Sequence, residues 1–296
     1  MNRLLTIVMV LMQVVLNVNA QSAKSDSLFS LGIDLYNAGR YYEMYRIFSN
    51  KEYGLGKMIA EFIQNFKNEY KFIKEKNIDK NKIDTKEAMM KLINIFEQSI
   101  ETLNKTFNFD EENFISNKLT FFSDSSEQFI LNKIYPTIYS IYNVKYMEEN
   151  NLYLTKKKDI LNKFTNDEII DKIGIKKKFL GNEKQPFKCV IDIINKINFE
   201  KILKKKYEIM MQSSLELRNC VLEYTSCKYE LDSMDDELPI IIYIATQLEI
   251  NNLFAELYMV EDYIKCSLRD NLSQNRMVTN LLSSLLYISQ EWNLDK

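Results

Sequence analysis

An all-α fold follows from three features of the sequence. Apolar residues recur at helical spacing along most of the chain, and glycine and proline are scarce, at 6 and 3 of 296 residues. The last glycine is Gly181. Tight turns between strands then have few places to form, and short helix–helix connections are expected. Hydrophobic residues make up 46% and charged residues 27%, a balance that supports a sizeable core. The length allows one large domain or two smaller ones.

Residues 1–20 stand apart as an apolar segment. Arg3 precedes an apolar run from Leu4 to Leu16, and Val18-Asn19-Ala20 resembles a signal-peptide cleavage site. The segment is short for a bilayer span. It reads either as a secretory leader or as a helix that packs on the protein or lies on a membrane. Asn104 and Asn271 begin N-x-[ST] sequons, compatible with secretion.

A helical bundle is expected over 27–149. Leu28, Leu31 and Leu35 share a stripe that a turn at Asn37-Ala38-Gly39 interrupts, and Tyr42, Tyr45 and Phe48 resume it. Met58 to Ile73 is a second helix, and Lys74 to Lys82 a polar loop. Asp84 or Thr85 caps a third helix that turns Leu92, Ile93, Phe96, Ile100 and Leu103 inward. Phe114 to Phe122 is ambiguous. Ser125 and Ser126 start a helix bent or broken near Pro136.

A polar stretch from Asn150 to Lys188 carries Gly174, Gly181 and Pro186 and is read as a boundary with short helices. The second block, over 150–290, then contains helices at Phe187–Ile197, Phe199–Met211, Leu215–Cys227, Pro239–Ile250, Leu253–Cys266 and Met277–Ser289. A loop from Arg269 to Asn275 separates the last two.

Composition excludes several chemistries. The chain has no histidine, which removes Ser-His-Asp and Cys-His catalysis and His-ligated zinc. Lys+Arg total 39 against 41 Asp+Glu, so no global electrostatic footprint for nucleic acid exists. The lysine triplets at 156–158, 176–178 and 204–206 are read as solvated helix faces. Cys189, Cys220, Cys227 and Cys266 form no C-x-x-C pair. Cys220 and Cys227, on one straight helix, would stand about 10 Å apart along its axis, too far for a disulfide. Buried free thiols are expected, with no metal and no cofactor.

One stretch has a pattern of its own. Ser233 to Gln247 reads S-M-D-D-E-L-P-I-I-I-Y-I-A-T-Q, with Asp235, Asp236 and Glu237 just ahead of Pro239 and an apolar run behind it. Proline suits a first helical turn, and carboxylates ahead of that turn meet the positive end of the helix dipole. An acidic helix cap explains this pattern, and so does a charged site presented to a partner.

From Asp235 onward the chain resembles the vacuolar protein sorting nine (Vps-nine) domain family. The resemblance rests on Asp235-Asp236-Glu237-Leu238-Pro239 followed by I-I-I-Y-I, on N-L-F-A-E-L-Y-M-V-E-D-Y-I at 252–264, and on Thr279-Asn280 followed by L-L-S-S-L-L-Y-I. Upstream, E-Q-F-I-L-N-K-I-Y from Glu127 to Tyr135 resembles the segment where that family's helical bundle meets its catalytic domain. The likeness is strongest over 187–290 and fainter over 50–150.

The resemblance implies a helical bundle followed by a layered helical exchange domain. It also implies guanine nucleotide exchange on an early-endosomal Rab-family small GTPase, in endocytic vesicle trafficking. No covalent chemistry is involved: the factor stabilises the nucleotide-free GTPase, and GTP replaces GDP by mass action. Asp235 matches the family's catalytic acid, which enters the site where Mg²⁺ and a P-loop lysine neutralise the nucleotide phosphates. Asp236, Pro239, Arg276, Thr279 and Asn280 fall at GTPase-binding positions, with Pro239 fixing the turn that aims Asp235. Arg276 departs from the pattern, since the family carries a tyrosine there. Cytoplasmic, endosome-associated localisation with peripheral membrane contact is implied. The alternative, from residues 1–20, is a secreted or luminal helical binding protein without exchange activity.

Overall fold

The computed structural model describes residues 41–74, 79–107, 117–181, 184–231, 233–267 and 276–292. The apolar segment 1–20, the stripe beginning at Leu28, most of Phe114 to Phe122 and the sequon at Asn271 lie outside what is described of backbone or side chain. Among the described residues the fold is all-α, with no strand. None of the helices described is long and apolar enough to cross a membrane.

Eleven α-helices are described: α1 (Tyr41–Ser49), α2 (Gly54–Glu69), α3 (Thr85–Phe107), α4 (Asn117–Lys145), α5 (Met147–Lys163), α6 (Asn166–Ile173), α7 (Lys188–Asn195), α8 (Leu203–Tyr224), α9 (Met234–Gln247), α10 (Leu253–Ser267) and α11 (Arg276–Leu286). A π-helical turn, Tyr287–Glu291, continues α11. The chain divides into two compact units. One holds the described residues of Met1–Lys74 and Met90–Thr137, the other those of Glu75–Met89 and Ile138–Lys296.

In the first unit Met44, Phe48, Ile59, Phe66, Leu92, Ile130 and Ile134 form a fully buried core. The Phe129 ring lies 5.6 Å from those of both Tyr45 and Phe48. Gly56 lets α1 and α2 close, because a Cβ there would stand 2.1 Å from the Asn50 carbonyl oxygen. Asp84 is the cap expected for α3, its Oδ1 accepting from Glu87 N–H at 2.9 Å.

Several boundaries differ from the sequence reading. Pro136 lies inside α4, which starts at Asn117 rather than at Ser125 and runs on to Lys145. Flanking turns hold the helix through the one donor that proline removes. The polar stretch after Asn150, read as a boundary with short helices, holds the short α6 but also most of the 17-residue α5. Thr165 and Glu168 form a capping box that starts α6, and Gly174, at φ 81°, ends it in the left-handed conformation. The two helices expected at Phe199–Met211 and Leu215–Cys227 are one 22-residue helix, α8. Ser213 does not break it, since its buried hydroxyl donates back to the Met210 carbonyl at 2.8 Å. Cys227 lies beyond the end of α8 with φ 59°, so it does not share a helix with Cys220, and unlike that buried thiol it is exposed rather than buried as expected.

The second unit is built around α9, where Ile240 to Ala245 are all buried. α11, α6, α7 and α5 pack around this helix, and α10 packs on α8, α11 and α5. Side chains from α5 satisfy the last carbonyls of α9, which a helix C-terminus leaves without donors. Tyr153 Oη donates to Ala245 O at 2.6 Å, and Lys157 Nζ donates to Leu248 O. Asn150 Oδ1 accepts from Phe254 N–H at 2.9 Å in the first turn of α10.

The lysine triplets do not all form solvated faces. Lys206 is fully buried, 2.5 Å from Glu256 on α10, and also donates to Ile197 O at 2.9 Å. Burial pulls the Lys206 ammonium down and pushes the Glu256 carboxyl up, and their mutual attraction opposes both shifts. A second buried pair joins α4 to α10, with Tyr142 Oη 2.8 Å from Asp262 Oδ2.

Candidate functional site

The acidic stretch begins α9 rather than preceding it. Ser233 is the N-cap, with φ −118° and ψ 149°, and its Oγ accepts from Asp236 N–H at 3.3 Å. Met234, Asp235, Asp236 and Glu237 form the first turn, so Pro239 is the sixth helical residue and not the first. The S-x-x-D spacing is the capping signal in the sequence that places this start. Pro239 has no N–H, so the Asp235 carbonyl, four residues earlier, receives no helical donor from it.

Three consecutive carboxylates meet three different environments. Asp235 is exposed, and no ion-pair or hydrogen-bond partner engages its side chain among the described residues. Asp236 stands 2.5 Å from Lys176 Nζ, and that bond, aided by nearby Lys178, holds its carboxyl below the usual aspartate range. Glu237 is buried, paired with Arg276 on α11, and accepts from Asn280 Nδ2 at 3.1 Å. Helical geometry explains the split, because successive residues are rotated about 100° around the axis.

Glu237 is therefore the tie between the first turns of α9 and α11. Arg276 and Asn280 are four residues apart and reach the same carboxylate from one face of α11. The arginine that departs from the Vps-nine pattern has an internal partner. Asn280 is buried, with its amide turned to Glu237 and lying 3.8 Å from Met234 Sδ. Thr279 is exposed on the first turn of α11. Of the residues singled out by sequence, Asp235 and Thr279 present their side chains to solvent. Asp236 and Arg276 are partly covered by their ion pairs, and Asn280 faces inward. Glu237 and Lys176 carry no signal in the sequence: a buried glutamate four residues beyond the Ser233 cap looks there like part of an acidic first turn.

Apolar surface adjoins these groups. Arg276 and Met277 line a 490 Å³ groove with Met211, Gln212, Ser214, Leu215 and Arg218. Leu215 is 61% exposed, and Met234, at the start of α9, is 47% exposed. The first turn of α9 thus offers a carboxylate that has no side-chain partner among the described residues, next in sequence to the exposed Met234. Among the described residues, the carboxylates of this turn do not converge as a metal-donor set.

No family model matches the chain. The chain is distantly similar to two curated proteins of Mus musculus. It is 24% identical to Alsin over 183 residues, covering 55% of this chain and 10% of Alsin. It is also 24% identical to ALS2 C-terminal-like protein over 147 residues, covering 45% of this chain and 15% of that protein. The chain thus matches only a small part of the length of either relative.

Proposed function

We propose that this chain is a guanine nucleotide exchange factor for an early-endosomal Rab-family GTPase, working at the cytosolic face of endosomes. The observation that carries the reading is Asp235, which is exposed and, among the described residues, has no partner for its side chain, while both neighbouring carboxylates are paired within the chain. The ordered Vps-nine-like pattern supports it, and the distant likeness to Alsin and ALS2 C-terminal-like protein is in keeping with a small-GTPase partner.

In this mechanism Asp235 enters the phosphate-binding site of the GTPase. It pairs with the lysine there and opposes the nucleotide phosphates by like charge. The N-terminal end of α9 lies behind it, so the Asp235 carboxylate stands at the positive end of the helix dipole. Thr279 and the exposed apolar side chains Met234 and Leu215 supply contact area. The clamp of Glu237 with Arg276 and Asn280 holds the two first turns together, so that Asp235 and Thr279 are offered as one surface. The experiment is release of a fluorescent GDP analogue from an early-endosomal Rab. Release should accelerate with the chain and return to the intrinsic rate with Asp235→Ala. Equal release with and without the chain would refute exchange activity.

A second reading has its own motive in residues 1–20. If they are a cleaved leader, the chain is a secreted or luminal helical binding protein and never meets a cytosolic GTPase. N-terminal sequencing of the mature chain separates the two, because cleavage after Ala20 is incompatible with the cytosolic reading. Glycan mass at Asn104 or Asn271 would argue the same way.

A further inference from the structure

Away from the start of α9, the fold assembles a second set of donor side chains. Cys189 on α7 meets Glu216 and Cys220 on α8, and their sulfur and carboxylate oxygen atoms all lie within 4.8 Å of one another. Glu216 and Cys220 are four residues apart, so a single helical turn presents both on one face. Cys220 is buried, while Cys189 and Glu216 are half-buried and keep a route to solvent.

The backbone leading to Cys189 is strained. Phe187 adopts φ 60° and ψ 21°, a left-handed conformation that is unusual for a bulky residue. Its fully buried ring packs 5.5 Å from that of Tyr224, and its N–H donates to Tyr224 Oη at 3.2 Å. The end of α8 thereby fixes the start of α7 and the position of the second residue in that helix, Cys189. No side chain caps α7, and Val190 N–H donates to the Phe187 carbonyl at 3.0 Å.

The chemistry of this set favours a cation over a reactive thiol. Burial pushes both thiols up, aided by Glu216 at Cys189 and by Cys189, Glu216 and Glu223 at Cys220, so neither is an activated nucleophile on its own. Two sulfurs and a carboxylate oxygen are instead the mixed donor set that suits a borderline-soft dication. We propose that Cys189, Glu216 and Cys220 bind a zinc-class divalent cation through two thiolates and one carboxylate, with water in the fourth position. The bound ion ties α7 to α8 and stands apart from Asp235 in its donors and its chemistry.

Cobalt(II) titration of the full, reduced and chelator-treated chain tests this. Expected is one cobalt per chain, with the near-ultraviolet absorption of thiolate-to-cobalt charge transfer, displaced by zinc. Cys189→Ser and Cys220→Ser should each weaken binding by at least about tenfold and diminish that absorption. Cys227→Ser, which changes an exposed thiol outside the set, should leave both unchanged. A readout on the unaltered chain covers the case in which a serine variant fails to fold: zinc should slow alkylation of Cys189, as located by mass spectrometry. The proposal is overturned if the helical, reduced chain shows no charge-transfer absorption. It is equally overturned if both folded serine variants bind cobalt like the parent, or if zinc leaves Cys189 alkylation unchanged.

Discussion

Lys206 and Glu256 meet at 2.5 Å with 0% and 2% of their side chains exposed. Asp235, on the first turn of α9, is exposed with no partner for its side chain among the described residues. In the interior an unpaired charge would bear a desolvation cost of several kcal/mol, so the fold tolerates charge there only in pairs. At the start of α9 water and the helix dipole carry that cost, and a lone carboxylate remains available to another molecule. Charge in the first place serves the fold. In the second, where two neighbouring carboxylates are already neutralised, the third is the one a partner can use.

The largest expected effect comes from breaking the interior pair on one side. Lys206→Met leaves Glu256 buried without its cation and should cost about 3–5 kcal/mol in urea unfolding. Lys206→Met combined with Glu256→Leu should recover most of that loss, because no buried charge then remains. If the single change costs less than the surface changes below, the contrast between interior and surface fails.

Next comes the clamp. Glu237→Ala leaves the buried Asn280 amide and Arg276 without their acceptor and should cost roughly 1–3 kcal/mol. It should also slow GDP release, although Glu237 itself never meets the GTPase. Arg276→Tyr, which installs the residue of the Vps-nine pattern, removes the same ion pair and should destabilise the fold in the same direction by a smaller amount. A Glu237→Ala chain that unfolds like the parent would break the distinction between a buried structural carboxylate and an exposed functional one.

These positions show what the sequence conveyed and what it did not. The all-α fold, the Asp84 cap and the apolar body of α9 follow from helical periodicity and from the lack of glycine and proline. The division of labour among Asp235, Asp236 and Glu237 does not, because it is set by residues distant in sequence: Lys176 engages Asp236, Arg276 and Asn280 engage Glu237, and among the described residues none engages the Asp235 side chain. Lys206 was misjudged for the same reason, since a lysine triplet looks solvated until α10 brings Glu256 against it. The early start of α9 was legible in the S-x-x-D spacing, but Pro239 drew the boundary towards itself. The Cys189, Glu216 and Cys220 set is invisible as a motif, because one of its members comes from another helix.

The smallest stability effects belong to the surface. Ser233→Ala removes the cap of α9 and should cost about 1 kcal/mol. Asp236→Asn loses its pair with Lys176, which is largely exposed, so the expected cost stays under about 1 kcal/mol. Its pH dependence has a definite sign. A carboxyl held below its ordinary value in the folded state adds stability above that ordinary value, near 3.8, and the contribution is lost as pH falls through the folded value. Asp236→Asn should therefore lower stability by that small amount at neutral pH and converge with the parent in acid, which flattens the acid limb of the stability curve. Acid titration of the unfolding free energy for parent and variant checks this.

The most direct test takes Asp235→Ala and Asp235→Asn side by side, with GDP release from an early-endosomal Rab and unfolding stability measured on the same preparations. Both variants are expected to unfold within about 0.5 kcal/mol of the parent, as an exposed and unpaired side chain should. Both should also leave release at the intrinsic rate of the GTPase. Release that stays accelerated in the variants, or a loss of stability comparable to that of Glu237→Ala, would contradict the account.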